Sequence, residues 1–251
     1  MKTAEQIVGE CIARSNSRVD IWIQFINATK IQHVAEIGVY RGDFAAKILE
    51  GCKSINKYYM IDPWRHLDNW NKPANTSNNA FEHFLLEAKA KTDFAGERRV
   101  FLRGKTTEVI KELSDGELDF SYIDGDHTLK GITIDLVRVY PKIRVGGWIG
   151  GDDFSRTIWQ HGANFEPTLV FPFALYFAEA VGARIYGLPY GQFLIEKRAI
   201  QSFSFTDFTG RYGDTSLKNQ FLPAKVLQLK IREIFSSGMK FARKVMGLIS
   251  N

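Results

Sequence analysis

The sequence lacks most of the features that assign a chain quickly. Its 251 residues hold only two cysteines, Cys11 and Cys52, in no paired or CxxC spacing. That pattern excludes a disulfide framework and a cysteine zinc site, and it suits a reducing, cytoplasmic setting. No apolar run of about 18 residues is present, so no membrane span is expected. The first residues, MKTAEQIVGECIARSNSRVD, lack the uninterrupted apolar core of a signal peptide. Net charge is also missing from most of the chain. Residues 1–200 balance basic against acidic side chains, while residues 201–251 carry eight basic and three acidic ones and hold the whole net +5. A nucleic-acid partner for the main domain therefore gains no support.

What is present is an ordinary globular composition, 45% hydrophobic and 24% charged, with length enough for one large α/β domain and appendages. The most informative stretch is Phe120–Phe154, FSYIDGDHTLKGITIDLVRVYPKIRVGGWIGGDDF. It reads as strand, acidic turn, helix, glycine turn, strand and second acidic turn. Asp124 and Asp126, with His127 beside them, end the first apolar run; Asp152 and Asp153 end the second. Ligands of open α/β sheets bind beyond the carboxyl ends of the strands, and neighbouring strands lie about 4.8 Å apart. The two acidic tips are thus placed to share a small site.

Upstream, residues 3–28 show two helical repeats broken at Ser15-Asn16-Ser17, a helical cap for the sheet. His33–Gly38 reads as a buried strand that enters a helix through Glu36-x-Gly38-x-x-x-Gly42. Such a turn brings backbone N–H groups and a helix N-terminus to a polar ligand. Tyr40 stands where a dinucleotide fingerprint wants its second glycine, and a plain tight turn explains the motif about as well. Strand Lys57–Ile61 ends at Asp62-Pro63-Trp64; Asp62 either opens a turn or hydrogen-bonds a ribose. The polar loop 65–80 reads as a lid with Trp64, His66 and Trp70 as contacts, or as a surface insertion. Strand Arg99–Leu102 leads into Gly104-Lys105-Thr106 at the same sheet edge. A loop with Trp159 and His161, the latter an alternative base or substrate contact, precedes a helix around Phe171–Val181. Strands Ala183–Tyr186 and Gln192–Glu196 follow, closely spaced and expected to pair antiparallel.

The chain divides into a helical cap (1–29), a main domain (30–198) and a basic amphipathic extension (199–251). From Pro223, Leu227, Ile231, Ile234, Ala242, Val245 and Ile249 share one helical face, with Lys225, Arg232, Lys240 and Arg243 largely opposite and Gly238 as a weak point. Docking on its own domain, a homo-oligomer contact and peripheral contact with an anionic membrane are all open to it.

Taken in order, VAEIGVYRG, YYMIDPW, LDFSYIDGDHTLKGITIDL and YPKIRVGGWIGGDDF resemble the class I S-adenosylmethionine-dependent methyltransferases. The likeness is to the small-molecule and sugar O-methyltransferase branch, methyltransferase family 24, over roughly residues 30–197. The resemblance implies a Rossmann-like α/β fold: a mostly parallel seven-stranded sheet with an antiparallel final strand, N-terminal helices and a C-terminal amphipathic helix. It implies that Glu36, Gly38, Tyr40 and Gly42 meet the amino-acid part of S-adenosylmethionine. Asp62 would bind the ribose with Trp64 beside it, and Gly104, Lys105 and Thr106 would lie near the adenine. Asp124 would touch the cofactor, take part in catalysis, and hold Mg²⁺ together with Asp152 and Asp153. His127 would be the general base.

The implied activity is cytoplasmic, Mg²⁺-assisted methylation of a hydroxyl on a sugar, glycoside or small polyol-like metabolite. Mg²⁺ takes hard oxygen ligands and would lower the pKa of that hydroxyl. A metal-independent methyltransferase is one alternative. A non-catalytic cofactor-binding subunit or an NAD-dependent oxidoreductase is another, and Tyr40 argues against the oxidoreductase. Cutting the extension off after Lys197 is expected to leave cofactor affinity intact but to alter assembly or membrane association.

Overall fold

Strand β1 (His33–Ile37) turns Val34 and Glu36 to one face and Ala35 and Ile37 to the other, as the period of two requires. Val34 packs into one buried apolar cluster and Ala35 and Ile37 into another. A computed structural model, which describes residues 2–224, 226–232 and 234–236, places seven more strands beside it. These are β2 (Lys57–Asp62), β3 (Arg99–Arg103), β4 (Leu118–Ile123), β5 (Ile143–Gly151), β6 (Arg184–Leu188), β7 (Gln192–Glu196) and β8 (Ser204–Asp207). Their spatial order is β3-β2-β1-β4-β5-β7-β6-β8. Strands β1 to β5 are parallel, β7 runs against both β5 and β6, and β8 lies parallel to β6.

The α/β expectation holds, with one addition. The seventh strand, β7, is the reversed one, as expected, and among the described residues an eighth strand joins the seven. The eighth strand comes from the segment expected to be an extension; Phe205 and Thr206 pair with Ile185 and Tyr186. The sheet therefore continues past residue 198.

Helices α1 (Ala4–Ala13), α2 (Arg18–Thr29), α3 (Asp43–Gly51) and α4 (Asn78–Lys91) cover one face, and α5 (Thr106–Val109), α6 (Leu129–Val139) and α7 (Val170–Ala180) cover the other. The break between the first two helices falls where the Ser-Asn-Ser turn puts it. Ser17 caps α2 by accepting from the Asp20 amide, and Thr3 and Gln6 form a capping box on α1. Ile21, Trp22, Phe25 and Ile26 of α2 are buried. At about 1.5–3 kcal/mol each, those four side chains hold the cap to the sheet with roughly 6–12 kcal/mol of apolar burial.

Strand β8 leads to a turn at Tyr212 and the short α8 (Leu217–Gln220). Beyond it, residues 223–236 are helical where described, and Leu227, Ile231, Ile234 and Phe235 are exposed. Lys225, Gly238, Lys240, Ala242, Arg243, Val245 and Ile249 lie outside the described residues. Among the described residues no helix is long and apolar enough to cross a membrane.

Candidate active site

Strand order reverses between β1 and β4, the switch point at which open α/β sheets bind ligands. Register carries Ile37 beside Ile123 and Ile123 beside Gly151, so Gly38, Asp124 and Asp152 follow at three adjacent strand ends. The Asp124 amide donates to Ile37 O at 2.7 Å and the Asp152 amide to Ile123 O at 3.0 Å. Gly38 has φ +88°, and a Cβ there would overlap the Asp124 carbonyl. Its first duty is to let the β1 and β4 tips touch. At Gly150 a side chain would collide with the indole of Trp22, so the GG of β5 makes room for the cap.

The acidic tips form one connected network. His127 Nε2 lies 3.3 Å from Asp124 Oδ1, and its Nδ1 pairs with Asp153 Oδ2. With both ring nitrogens on carboxylates, the imidazolium is the form that fits. Burial alone would lower the His127 pKa, but the hydrogen bonds and charges of Asp124 and Asp153 outweigh it and raise it to about 9. Burial likewise works to raise Asp153, whereas His127, Gln160 and His161 hold it below the ordinary value. Asp153 has φ +58°, a left-handed turn that Asp tolerates better than most residues. His161 Nε2 stands 3.8 Å from Asp153 Oδ2, and burial pulls the His161 pKa down.

Arg18, the first residue of α2, reaches into this network. Its Nη1 pairs with Asp152 Oδ2 and lies 3.6 Å from Asp124 Oδ2. The other Asp152 oxygen accepts from Gln192 Nε2 at 2.5 Å and from the Asp153 amide at 2.8 Å. Gln192 is fully buried, and its carbonyl accepts from Trp22 Nε1 at 2.9 Å and Tyr122 OH at 2.8 Å.

The residues of the expected metal set have other partners in this structure. Asp124, Asp152 and Asp153 are neighbours along the chain, but they do not converge on one point. Asp124 and Asp152 close on a guanidinium, and Asp153 faces away toward His127, Gln160 and His161. Among the described residues, the group whose ligand atoms converge is His127, Asp153 and His161, within 4.8 Å of one another. That nitrogen-rich set is poorly matched to Mg²⁺, which prefers oxygen. The residues present do not fit a Mg²⁺ ion.

The expected cofactor residues line the β1–β2–β3 side. Glu36 is buried and accepts from Tyr58 OH at 2.7 Å. Burial drives its carboxyl well above the usual range, with the Tyr58 bond opposing. Asp62 Oδ2 accepts from the Val39 and Tyr40 amides at 3.0 and 2.9 Å, and Oδ1 accepts from the Trp64 amide at 2.7 Å. A carboxylate has about four acceptor positions, so Asp62 braces the Gly38 turn and keeps one position for a hydroxyl. Trp64 is fully buried, and its indole donates to Tyr40 O at 2.8 Å. Tyr40 itself, at φ +54°, packs against Phe84. Gly42 caps α3 and packs on Ala88. Gly104 hydrogen-bonds the Asp62 carbonyl, Lys105 pairs with Glu108, and Thr106 donates to Asp135 at 2.6 Å inside the core.

The loop expected as a lid crosses the site and is tied down there. Trp70 Nε1 donates to Asp126 at 3.1 Å. Lys72, buried, donates to Glu166 O at 2.8 Å and Thr168 Oγ1 at 3.2 Å. His66 instead turns back on its own loop at Thr76 O. The opposite loop is stapled in turn: Trp159 Nε1 and the Ile158 amide donate to Gln220 of α8 at 2.9 and 2.7 Å.

Arg18, Lys72, Gln160 and Gln192 are the site residues the sequence alone misses. Gln192 had a signal, since it is a polar residue opening an otherwise apolar strand. The other three sit on loops or at a helix start, where charge is unremarkable.

A largely parallel sheet with one reversed strand, β7, between β5 and β6 is the fold of the class I methyltransferases. Residues 35–154 match the model of methyltransferase family 24, described as a methyltransferase domain. No curated protein matches the chain in sequence. The structure is similar to a protein of Corynebacterium glutamicum, with 17% identity and TM-score 0.53 over 80% of this chain and 93% of that one. It is similar to the SAH-bound methyltransferase PaMTH1 of Podospora anserina, with 16% identity and TM-score 0.51 over 77% and 87%. It is also similar to the O-methyltransferase TomG of Streptomyces achromogenes, involved in tomaymycin synthesis and solved with SAM, with 12% identity and TM-score 0.50 over 74% and 82%. At these identities the likeness is one of fold.

Proposed function

We propose that this protein is an S-adenosylmethionine-dependent O-methyltransferase that acts on a hydroxyl of a sugar, glycoside or other small polyol-like metabolite. The observation that carries the reading is the pair His161–Asp153 at the strand tips of a methyltransferase domain, beneath two loops tied together by Lys72. When bound, the cofactor supplies an electrophilic methyl group. The chain's own part is to position the acceptor, exclude water and take a proton. Two carboxylates, an imidazole and an amide (Asp126, Asp153, His161, Gln160) cluster at the joined loops, and they suit an acceptor read through several hydroxyls.

The base role expected of His127 passes in this reading to His161. His127 is held as a cation between two carboxylates at neutral pH, whereas His161 stays neutral there. Nε2 of His161 lies on the Asp153 side, 3.8 Å from its carboxylate, so Nδ1 is the nitrogen assigned to accept the acceptor's proton, with the charge of Asp153 favouring the imidazolium that forms. The metal-independent alternative is preferred over Mg²⁺ assistance because Arg18 closes the Asp124–Asp152 pair. SAH binding by calorimetry, with no NAD binding, tests the cofactor. A hydroxyl-acceptor panel followed by mass spectrometry tests the transfer. His161→Ala is expected to lower kcat by about 10²–10⁴ while leaving SAH affinity unchanged; full kcat in that variant rejects the base assignment.

A further inference from the structure

We infer that Arg18 is the resident cation of this site and takes the place a divalent ion would fill. The placement starts in the sequence of α2. Ser17 caps the helix and fixes its first residue, and Arg18 and Trp22 stand one helical turn apart on the same face. Trp22 is fully buried, fills the space over Gly150, packs 5.3 Å from Phe120 and donates to Gln192. It pins the helix to β5 and β7. Arg18 is thereby delivered to the strand ends, where its guanidinium reaches Asp152 and Asp124 together. A planar, permanently charged fork is suited to spanning two carboxylates.

Charge leads to the same conclusion. Asp124 and Asp152 bring two negative charges, and the Arg18 guanidinium sets its permanent positive charge between them. A divalent ion would have to displace the guanidinium to reach both carboxylates. With Arg18 removed, the Asp124–Asp152 pair becomes an open oxygen site of the kind Mg²⁺ takes. The second helix of the cap thus supplies a side chain in place of a metal cofactor, and the cap is part of the active site.

The experiment uses the full chain and Mg²⁺ itself. Wild type, Arg18→Met, Arg18→Lys and the double variant Arg18→Met/Asp152→Asn are titrated with Mg²⁺ by calorimetry, up to roughly millimolar free ion, with circular dichroism on each. Wild type and Arg18→Lys are expected to take up no Mg²⁺. Arg18→Met, which keeps the aliphatic stem, is expected to bind one ion at least tenfold more tightly, and the double variant to lose it. Wild-type Mg²⁺ uptake as tight as that of Arg18→Met overturns the inference. So does a folded Arg18→Met protein that binds none, or uptake by Arg18→Lys equal to that of Arg18→Met. The activity arm alone rests on the methyltransferase reading: EDTA is expected to leave wild-type transfer unchanged. SAH binding is measured alongside, and its absence removes the methyltransferase reading while the metal titrations still decide the role of Arg18.

Discussion

The indole of Trp22 donates to the side-chain carbonyl of Gln192 at 2.9 Å, a bond between the N-terminal cap and the reversed strand. Tyr122 OH uses the same oxygen, which obliges the amide nitrogen to point at Asp152. One buried amide therefore sets the orientation of an active-site carboxylate. Gln192→Leu would leave an indole N–H and a phenol without partners in the core. A buried polar group left unpaired costs about 1–3 kcal/mol, so a loss of about 2–5 kcal/mol is expected by urea denaturation, with a lower kcat. A change below 0.5 kcal/mol, an ordinary surface value, would show that the network does not bear on stability.

How much of this was legible beforehand follows from the range over which each signal acts. The strand tips carrying Asp124 and Asp152 were readable because apolar runs, glycine turns and acidic ends are local patterns. The switch point followed from strand order. Arg18 was invisible because its meaning depends on residues more than a hundred positions away. Asp152 and Asp153 looked like one metal-binding pair in the sequence. A left-handed turn at Asp153 sends the two carboxylates to different partners, and no one-dimensional spacing encodes that. Strand β8 was missed because Ser204–Asp207 is short and only partly buried, so it lacks the apolar run by which the other strands are found.

Lys72 ties the loop after β2 to the loop before α7. Burial holds its ammonium below the ordinary pKa, with Asp126 and Asp153 opposing. Lys72→Ala removes both bonds to the facing loop and leaves the cofactor side untouched. Amide hydrogen exchange across residues 154–169 is expected to speed up, KM for the acceptor to rise about tenfold (about 1.4 kcal/mol), and SAH affinity to stay constant. Unchanged exchange in that loop would show that the closure is held by other contacts.

Asp135 makes stability depend on pH. It is buried on α6, and burial raises its pKa from 3.8 to about 7, with the Thr106 hydrogen bond opposing. Between these values the folded chain keeps a proton that the unfolded chain has released. The resulting stability is fully present below pH 3.8, falls as pH rises, and is lost once pH passes about 7. The loss is about 1.4 kcal/mol per pH unit within the window. Asp135→Asn keeps an acceptor for Thr106 and has nothing to titrate. Its Tm relative to wild type is expected to climb between pH 4 and 7.5. A constant Tm difference across that range would mean that Asp135 does not titrate there.

Tyr212 decides whether the C-terminal segment is an appendage. It lies beyond the boundary expected at residue 198, yet it is buried, stacks on Phe171 at 4.9 Å, and donates its hydroxyl to Phe154 O. Phe154 directly follows the acidic pair, so the packing that fixes the second tip comes partly from the extension. Tyr212→Ala is expected to cost about 3–5 kcal/mol, as aromatic truncations in cores do. Tyr212→Phe is expected to cost about 1 kcal/mol for the lost bond. Cutting after Lys197 removes Tyr212, the β8 pairing to β6 and the Gln220 staple together. Such a cut is therefore expected to reach the cofactor side as well. The fragment should show a lowered Tm, aggregation on size exclusion and weakened SAH binding. A monodisperse 1–197 fragment with wild-type Tm and SAH affinity would prove the segment dispensable, with Phe154 anchored by Phe171, Phe193 and its amide bond to Gly191 O.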